Sequence, residues 1–315
     1  MSALAPPTIG LIGHRGDSDL GELDRALEAR GARTALVDLT DIPAYVNFHW
    51  NVDAMRFGDL DLLTLAAAYV RTGHFPMPLE VPGSSRAESD RVTFPIREIG
   101  SLNNSIIAEL ARHLPVVNPP RTYRYHRQKP FMYTTLQRSE VPVPDFIVGS
   151  DLEQAARFVD RHGEQVVAKP LMGGEVVLAS LGFLKQHCSE FDRRPLLLQR
   201  RIRGRSLRGY VVEGRLVAAA EIVHGGVVDW RADVRALRQV VVCERTRDAM
   251  ARASAALGLV FASVDVEQEG GENGCPWVLD VNPAPMFAGF SAQSGLDVAG
   301  PLADCLIRLA EQGHR

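Results

Sequence analysis

Three oxygen-bearing side chains near the C-terminal end of the chain, Asp265, Asp280 and Asn282, have the types and spacing for metal chemistry. Val260-Phe-Ala-Ser-Val-Asp-Val266 reads as a strand, Glu269 to Gly274 as a turn, and Pro276-Trp-Val-Leu-Asp-Val-Asn282 as a second strand. Residues two apart on a strand share a face, so Asp280 and Asn282 point the same way. A hairpin closing symmetrically about its loop sets Asp265 opposite Asp280, with Cβ atoms roughly 5 Å apart. Two facing carboxylates on otherwise apolar strands repel and are costly to desolvate, and a bound cation relieves both problems. Two carboxylates and an amide suit magnesium, which keeps water and takes phosphate oxygens as further ligands. The competing reading is an edge hairpin whose polar residues face water. Pro283-Ala-Pro285 stiffens the chain where it leaves the second strand.

Cations are the other chemical signal. Lys169 lies in Val166-Val-Ala-Lys-Pro170, a strand too apolar to carry a lysine without a partner. Arg200, Arg201, Arg203, Arg205 and Arg208 crowd around Gly204. They suit either an anionic substrate bound by bidentate contacts or a strand edge blunted by charge. His14 sits in the first βα turn, where it could meet a ligand or satisfy its own loop, and His224 reads as a turn residue.

The elements that must position these groups begin with Thr8 to Gly13 as a strand, Asp19 to Arg30 as a helix stopped by Gly31, and Thr34 to Leu39 as a strand. This βαβ unit predicts an open α/β lobe, and its first turn lacks the GxGxxG spacing of a dinucleotide site. Pro76, Pro78, Pro82 and Gly83 mark a loop in the less legible stretch from Ile42 to Arg97. Ser101 to His113 reads as a helix, and Pro115, Pro119 and Pro120 as a lobe boundary. Ser150 with Glu153 forms a capping box for a helix that Gly163 ends, followed by a strand over 165–170. Leu196 to Gln199 is a strand, and Gly209 to Glu213 pairs with Arg215 to Glu221 across Gly214 as a hairpin. Helices are expected over 244–257 and 298–311. The class is α/β, becoming α+β in the C-terminal lobes, with divisions at 1–117, 118–195 and 196–315.

The chain has 315 residues and a formal net charge of -3, enough for more than one lobe and without the basic excess of a general nucleic-acid binder. No apolar run is long enough to span a bilayer, and the N-terminus lacks the pattern of a signal peptide. Cys188, Cys243, Cys275 and Cys305 are scattered and form no CxxC pair, which predicts ordinary thiols in a reducing, cytoplasmic setting.

Ser263-Val-Asp265 followed by Leu279-Asp-Val-Asn-Pro283 resembles the signature of ATP-grasp ligases, especially the glutathione-synthetase and RimK-like branch. The resemblance implies an ATP-grasp fold behind an N-terminal α/β lobe, and gives Asp265, Asp280 and Asn282 one or two Mg2+ ions to hold, with Mn2+ as a substitute. Lys129 and Lys169 match the two phosphate-binding lysines. Leu197-Leu-Gln-Arg-Arg-Ile202 resembles the hinge that grips adenine, which makes Gln199, Arg200 and Ile202 nucleotide contacts. Arg208 matches the arginine after the hinge, and Arg231 one that faces the terminal phosphate; both are the expected catalytic residues. Three departures stand out: a short loop, Met172 to Glu175, after the second lysine; Ser206 where an acidic residue usually helps hold the nucleotide; and Asp233 where asparagine is usual.

The function this implies is ATP- and Mg2+-dependent ligation, in which a carboxylate becomes an acyl-phosphate and an amine then displaces phosphate. The expected partners are small-molecule or peptide carboxylates and amines, amino acids and acidic peptides in particular, and neither nucleic acid nor membrane. The oligomeric state stays open, a homo-oligomer included. A kinase acting on a hydroxyl would leave phosphate on its product, and a non-catalytic nucleotide binder would release no ADP.

Overall fold

The computed structural model describes residues 7–42, 45–71, 86–163, 165–171, 174–187 and 195–313. The loop marked by Pro76 to Gly83, the Met172–Gly173 part of the short loop, and Cys188 lie outside them. The chain divides into two compact units, one of residues 1–123, 286–288 and 298–315, the other of residues 124–285 and 289–297.

In the first unit, β1 (Thr8–Ile12), α1 (Ser18–Glu28) and β2 (Arg33–Val37) form the expected βαβ unit, with β1 and β2 parallel. The small antiparallel strands β3 (Phe48–Trp50), β4 (Met55–Phe57) and β5 (Leu60–Asp61) follow. Strands β6 (Ala67–Val70) and β7 (Val116–Val117) extend the parallel sheet in the order β2-β1-β6-β7. Ile9 and Leu11 of β1 and Leu23 and Leu27 of α1 are buried in the core. The helix read as Ser101–His113 is the last part of a longer one, α2 (Arg86–His113), which runs through Pro95. In α1 the true cap is Asp17, whose carboxylate accepts from the N–H groups of Asp19 and Leu20. The buried Asp19 ties together sequence-distant chain within this unit. Its Oδ1 accepts from the backbone N–H of Phe287 and Ala288 at 2.7 and 2.6 Å, and its Oδ2 lies 2.9 Å from Arg71.

In the second unit, α3 (Lys129–Arg138) leads to β8 (Phe146–Gly149), α4 (Leu152–Arg161), β9 (Val166–Lys169), β10 (Val177–Leu178), α5 (Leu181–Gln186) and β11 (Leu196–Arg200). The four strands make an antiparallel sheet in the order β10-β9-β11-β8. Its apolar side packs Val166, Ala168, Leu196 and Leu198 against Phe158 and Val159 of α4. The capping box expected at Ser150 is replaced by Asp151, whose carboxylate accepts from Glu153 and Gln154 N–H. A charged acceptor one residue nearer the first turn is the stronger cap. Gly163, at φ +58°, ends this helix as expected.

The larger sheet holds β12 (Arg205–Val212), β13 (Arg215–His224), β14 (Val234–Gln239), β15 (Phe261–Glu269) and β16 (Cys275–Asn282) in the order β14-β13-β12-β15-β16. Helix α6 (Glu244–Ala256) packs on it through Met250 and Ala253, which meet Val264, Val266 and Val281 in one core. A short helix, α7 (Ala288–Ser294), precedes the closing helix α8 (Ala299–Gly313). Two divisions differ from expectation. Strand β11 pairs with β8 and β9, so the smaller sheet extends to Arg200 and not only to 195. Helix α8 belongs with the first unit, because its apolar face is buried there and not on the larger sheet.

Candidate active site

The second unit contains a cavity of about 690 Å³, walled by β9 and β11 on one side and by β12, β15 and β16 on the other. Cross-strand register explains why charged side chains converge on it. Arg208 of β12 lies opposite Asp265 of β15, which lies opposite Asp280 of β16. One row over, Ser206 is opposite Glu267, and on the other side Ser263 is opposite Asn282. Directly opposed residues and residues two apart share a face, so Asp265, Asp280 and Asn282 all present to the cavity.

The expected pairing of Asp265 with Asp280 is present, but symmetry of the hairpin is not its cause. From the loop, Glu269 pairs with Cys275 and Val266 with Val278, a register that would bring Leu279 opposite Asp265. A β-bulge at that step inserts Leu279 and advances Asp280 into the facing position.

Each carboxylate is matched by a cation. Arg208 makes a two-pronged contact to Asp265, Nε to Oδ1 at 2.7 Å and Nη2 to Oδ2 at 2.9 Å. Burial opposes the Arg208 charge, and Asp265 overrides it, holding the guanidinium above its ordinary range. Lys129 Nζ, from the first turn of α3, donates to Asp280 Oδ1 at 2.5 Å. Burial works against the Asp280 charge, but Lys129 and Lys169 hold its carboxyl below the usual range. Asn282 Oδ1 accepts from Ala284 N–H at 3.0 Å, which orients the amide.

Lys169 and Gln199 share a face across β9 and β11, and Lys169 Nζ donates to Gln199 Oε1 at 2.6 Å. Desolvation, with Lys129 and Arg231 nearby, pushes the Lys169 ammonium down to about 8 from 10.5, against the pull of Asp280 and Asp265. Gln199 is 1% exposed; its Nε2 makes no hydrogen bond of good geometry, and its side chain lies against the Tyr133 hydroxyl. Ile202 lines the same wall. Arg200 also lines the cavity, but its guanidinium stacks 4.7 Å above the Trp277 ring and lies 3.5 Å from Glu269.

Arg231 reaches the cavity from the segment between β13 and β14. Asp229 holds it through Nε at 2.7 Å and Nη2 at 2.5 Å, and Arg231 Nη2 donates to Gly174 O at 2.5 Å. Asp229 Oδ2 also accepts from Val176 N–H at 3.3 Å, so one carboxylate ties the end of the short loop to this guanidinium.

Two departures from the family pattern have structural answers. Beside Ser206, Glu267 supplies a carboxylate from the neighbouring strand: Ser206 Oγ donates to Glu267 Oε2 at 2.8 Å and Gly204 N–H to Oε1 at 3.1 Å. Burial raises the Glu267 carboxyl above the usual range. A Cβ at Gly204 would collide with the Gln268 carbonyl, so only glycine permits this approach. Gly226 N–H donates to His224 Nδ1, which puts the ring proton on Nε2, facing Ser206 Oγ at 3.0 Å. The proton chain therefore runs from histidine through serine to glutamate, opposite to a serine nucleophile activated by histidine. Asp233, in turn, is held by Arg235 and Gly225 N–H and does not line the cavity.

The arginine cluster separates. Arg205 is bound to Glu221 at 3.0 Å and Glu272 at 3.4 Å, outside the cavity wall, whereas Arg201 and Arg203 line it. His14 lies in the first unit, where its Nδ1 accepts from Gly16 N–H. Four ionisable lining residues were not singled out from the sequence: His126, Tyr133, Asp229 and Glu267. Two had a legible signal, since Tyr133 is one helical turn after Lys129 and Glu267 is two strand positions after Asp265. Among the described residues no cluster of three or more His, Cys, Asp or Glu is placed to hold a metal.

No protein-family model matches the chain. Among curated proteins it is 28% identical over 221 residues to the tetrahydromethanopterin:alpha-L-glutamate ligase of Methanocaldococcus jannaschii, covering 64% of this chain and 74% of that protein. It is 24% identical over 229 residues to the glutamate–LysW ligase ArgX of Sulfolobus acidocaldarius, covering 66% and 78%. The ATP-grasp ligase PsnB, solved with a phosphomimetic variant of its minimal precursor, Mg and ADP, superposes with a TM-score of 0.83 at 23% identity, over 98% of this chain and 100% of that one. The macrocyclase MdnC of Microcystis aeruginosa, bound to precursor peptide MdnA, gives 0.77 at 16% identity over 95% and 99%. Fold, sequence relatives and the Asp265 to Pro283 signature agree: the chain has the ATP-grasp fold and is similar to the RimK-like glutamate ligases.

Proposed function

We propose that the cavity binds MgATP and that the enzyme uses it to activate the carboxylate of an amino acid or acidic peptide as an acyl-phosphate, which an amine then converts to an amide. The observation that carries this is the placement of Asp265 and Asp280 on facing strand positions, within one cavity that also receives Lys129, Lys169 and Arg231. The oxygen donor set suits Mg2+, and the cationic groups already standing at both carboxylates mark where positive charge belongs. Asp265, Asp280 and Asn282 are the residues that would hold one or two ions, with Mn2+ as a substitute. The bound metal would supply charge that bridges and neutralises the phosphates.

The remaining work falls to the protein's own side chains, chiefly positioning and charge. Lys129 and Lys169 grip phosphate oxygens. Arg231, kept in place by Asp229, offsets charge on the transferring phosphoryl group. Gln199 keeps Oε1 on Lys169 and turns its spare N–H donors to the base, with Ile202 as an apolar wall. Arg208 fixes the position of Asp265. Glu267 repels phosphate and accepts from hydroxyls, so the ribose belongs beside Ser206 and Glu267. Arg201 and Arg203 are the cavity cations left to meet an anionic substrate.

The relatives named as glutamate ligases, and the peptide-bound ligases of the same fold, support amino-acid and peptide substrates as the first to test. The experiment supplies MgATP with amino acids and acidic peptides, follows ADP and phosphate release, and weighs the products. A product lighter by water than its two precursors, with free phosphate, is the expected result. Phosphate retained on the product would make the protein a kinase. Nucleotide binding without ADP under every mixture would remove the ligase assignment.

A further inference from the structure

The bulge at Leu279 decides which side chain of β16 faces Asp265, and one residue outside the sheet grips it. Tyr133 lies one turn after Lys129 on α3, on the same helical face. Its hydroxyl donates to the carbonyl of Leu279 at 2.8 Å, while Lys129 Nζ donates to the carboxylate of the next residue, Asp280, at 2.5 Å. Immediately before the bulge, Val278 N–H donates to Pro142 O at 2.8 Å. Three consecutive residues of the edge strand are thus held from the side of α3 and the segment that follows it. Tyr133 is 2% exposed and its ring packs on Phe146 with centroids 5.1 Å apart, so the hydroxyl is aimed by packing.

The carbonyl of a bulged residue falls out of the regular ladder and needs another partner. Without one, β16 can relax toward the register of Val266–Val278, in which Leu279 faces Asp265. A one-residue slip sends every following side chain to the other face, which would turn Asp280 and Asn282 away from the cavity together.

We propose that Tyr133 is a positioning residue for the divalent-cation site: its hydroxyl locks the Leu279 bulge and so keeps Asp280 opposite Asp265. The proposal rests on reading Asp265, Asp280 and Asn282 as the metal-holding set. The test is Tyr133→Phe in the full chain, which removes one oxygen and keeps the ring, with Phe146→Leu as a control that disturbs the packing and keeps the hydroxyl. Affinity for a non-hydrolysable ATP analogue is measured calorimetrically with and without excess MgCl2, beside a thermal melt.

In the parent protein Mg2+ tightens analogue binding. In Tyr133→Phe that metal-dependent gain falls by about tenfold or more. The metal-free affinity falls by a smaller factor than this, and Phe146→Leu keeps the gain. A Tyr133→Phe protein with the full gain overturns the proposal. So does one that loses affinity equally with and without Mg2+, because that marks a general structural role. A parent protein with no Mg2+ gain overturns the metal reading itself, a result distinct from either of these.

Discussion

Lys169 offers a test in which affinity and stability should move in opposite directions. Its ammonium is buried beside Lys129 and Arg231, and its pKa stands at about 8 against an ordinary 10.5. The unfolded chain holds this proton to a higher pH than the folded one does. The group's destabilising contribution is therefore complete below pH 8 and is relieved as pH rises toward 10.5. The difference between those values corresponds to about 3 kcal/mol. This is a ceiling on what Lys169→Met could recover at pH 7, since the substitution also strips Gln199 of its partner. The variant should therefore melt higher than the parent while binding ATP more weakly.

A triphosphate reverses the local field and recharges the lysine, so binding takes up protons wherever the free protein has lost them. For a single group of pKa about 8, uptake is about 0.1 proton at pH 7, about 0.5 at pH 8 and about 0.9 at pH 9. Affinity should accordingly weaken by about tenfold between pH 7 and pH 9. Calorimetry of a non-hydrolysable ATP analogue in buffers of different ionisation enthalpy counts these protons directly. Uptake that is flat from pH 7 to 9, or unchanged in Lys169→Met, would show that this lysine does not meet the phosphates.

Further outcomes follow from neighbouring contacts. Asp280→Asn keeps the shape but removes the charge opposite Asp265, and Mg2+-dependent ADP release should be lost with the circular dichroism unchanged; undiminished turnover would withdraw the metal assignment. Glu267→Gln should lower the preference for ATP over 2′-deoxy-ATP by about tenfold, seen in the ratio of kcat/KM values, and a constant ratio would move the ribose elsewhere. Arg203→Ala should raise KM for an anionic substrate, whereas Arg205→Ala, which removes one ion-pair partner from Glu221 and one from Glu272, should leave it unchanged; steady-state kinetics that shift equally for both would contradict the separation of the cluster.

Local chemistry was legible without coordinates. The apolar runs around Asp265 and Asp280 declared two strands, Gly163 and Gly31 declared helix ends, and the order of Lys129, Lys169, Arg208 and Arg231 resembled one superfamily. Helix boundaries were less secure where two capping residues competed, as Ser150 and Asp151 did, because a one-residue choice rests on which side chain reaches the free N–H groups. The arginine cluster looked uniform in sequence, yet Arg205 meets Glu221 and Glu272 whereas Arg203 meets the Gln165 amide, partners that the folded chain brings from different segments.

What the sequence alone determined is the inventory: an α/β start, antiparallel strands after it, and the cations, carboxylates and amide a nucleotide site needs. Tertiary structure alone decided which of them face each other. The Leu279 bulge sets Asp280 against Asp265, and the β12–β15 register puts Glu267 beside Ser206. Periodicity along a strand is a property of neighbours in the chain. Register across strands is set by hydrogen bonds such as that from Tyr133 to Leu279 O, made by residues 146 positions apart.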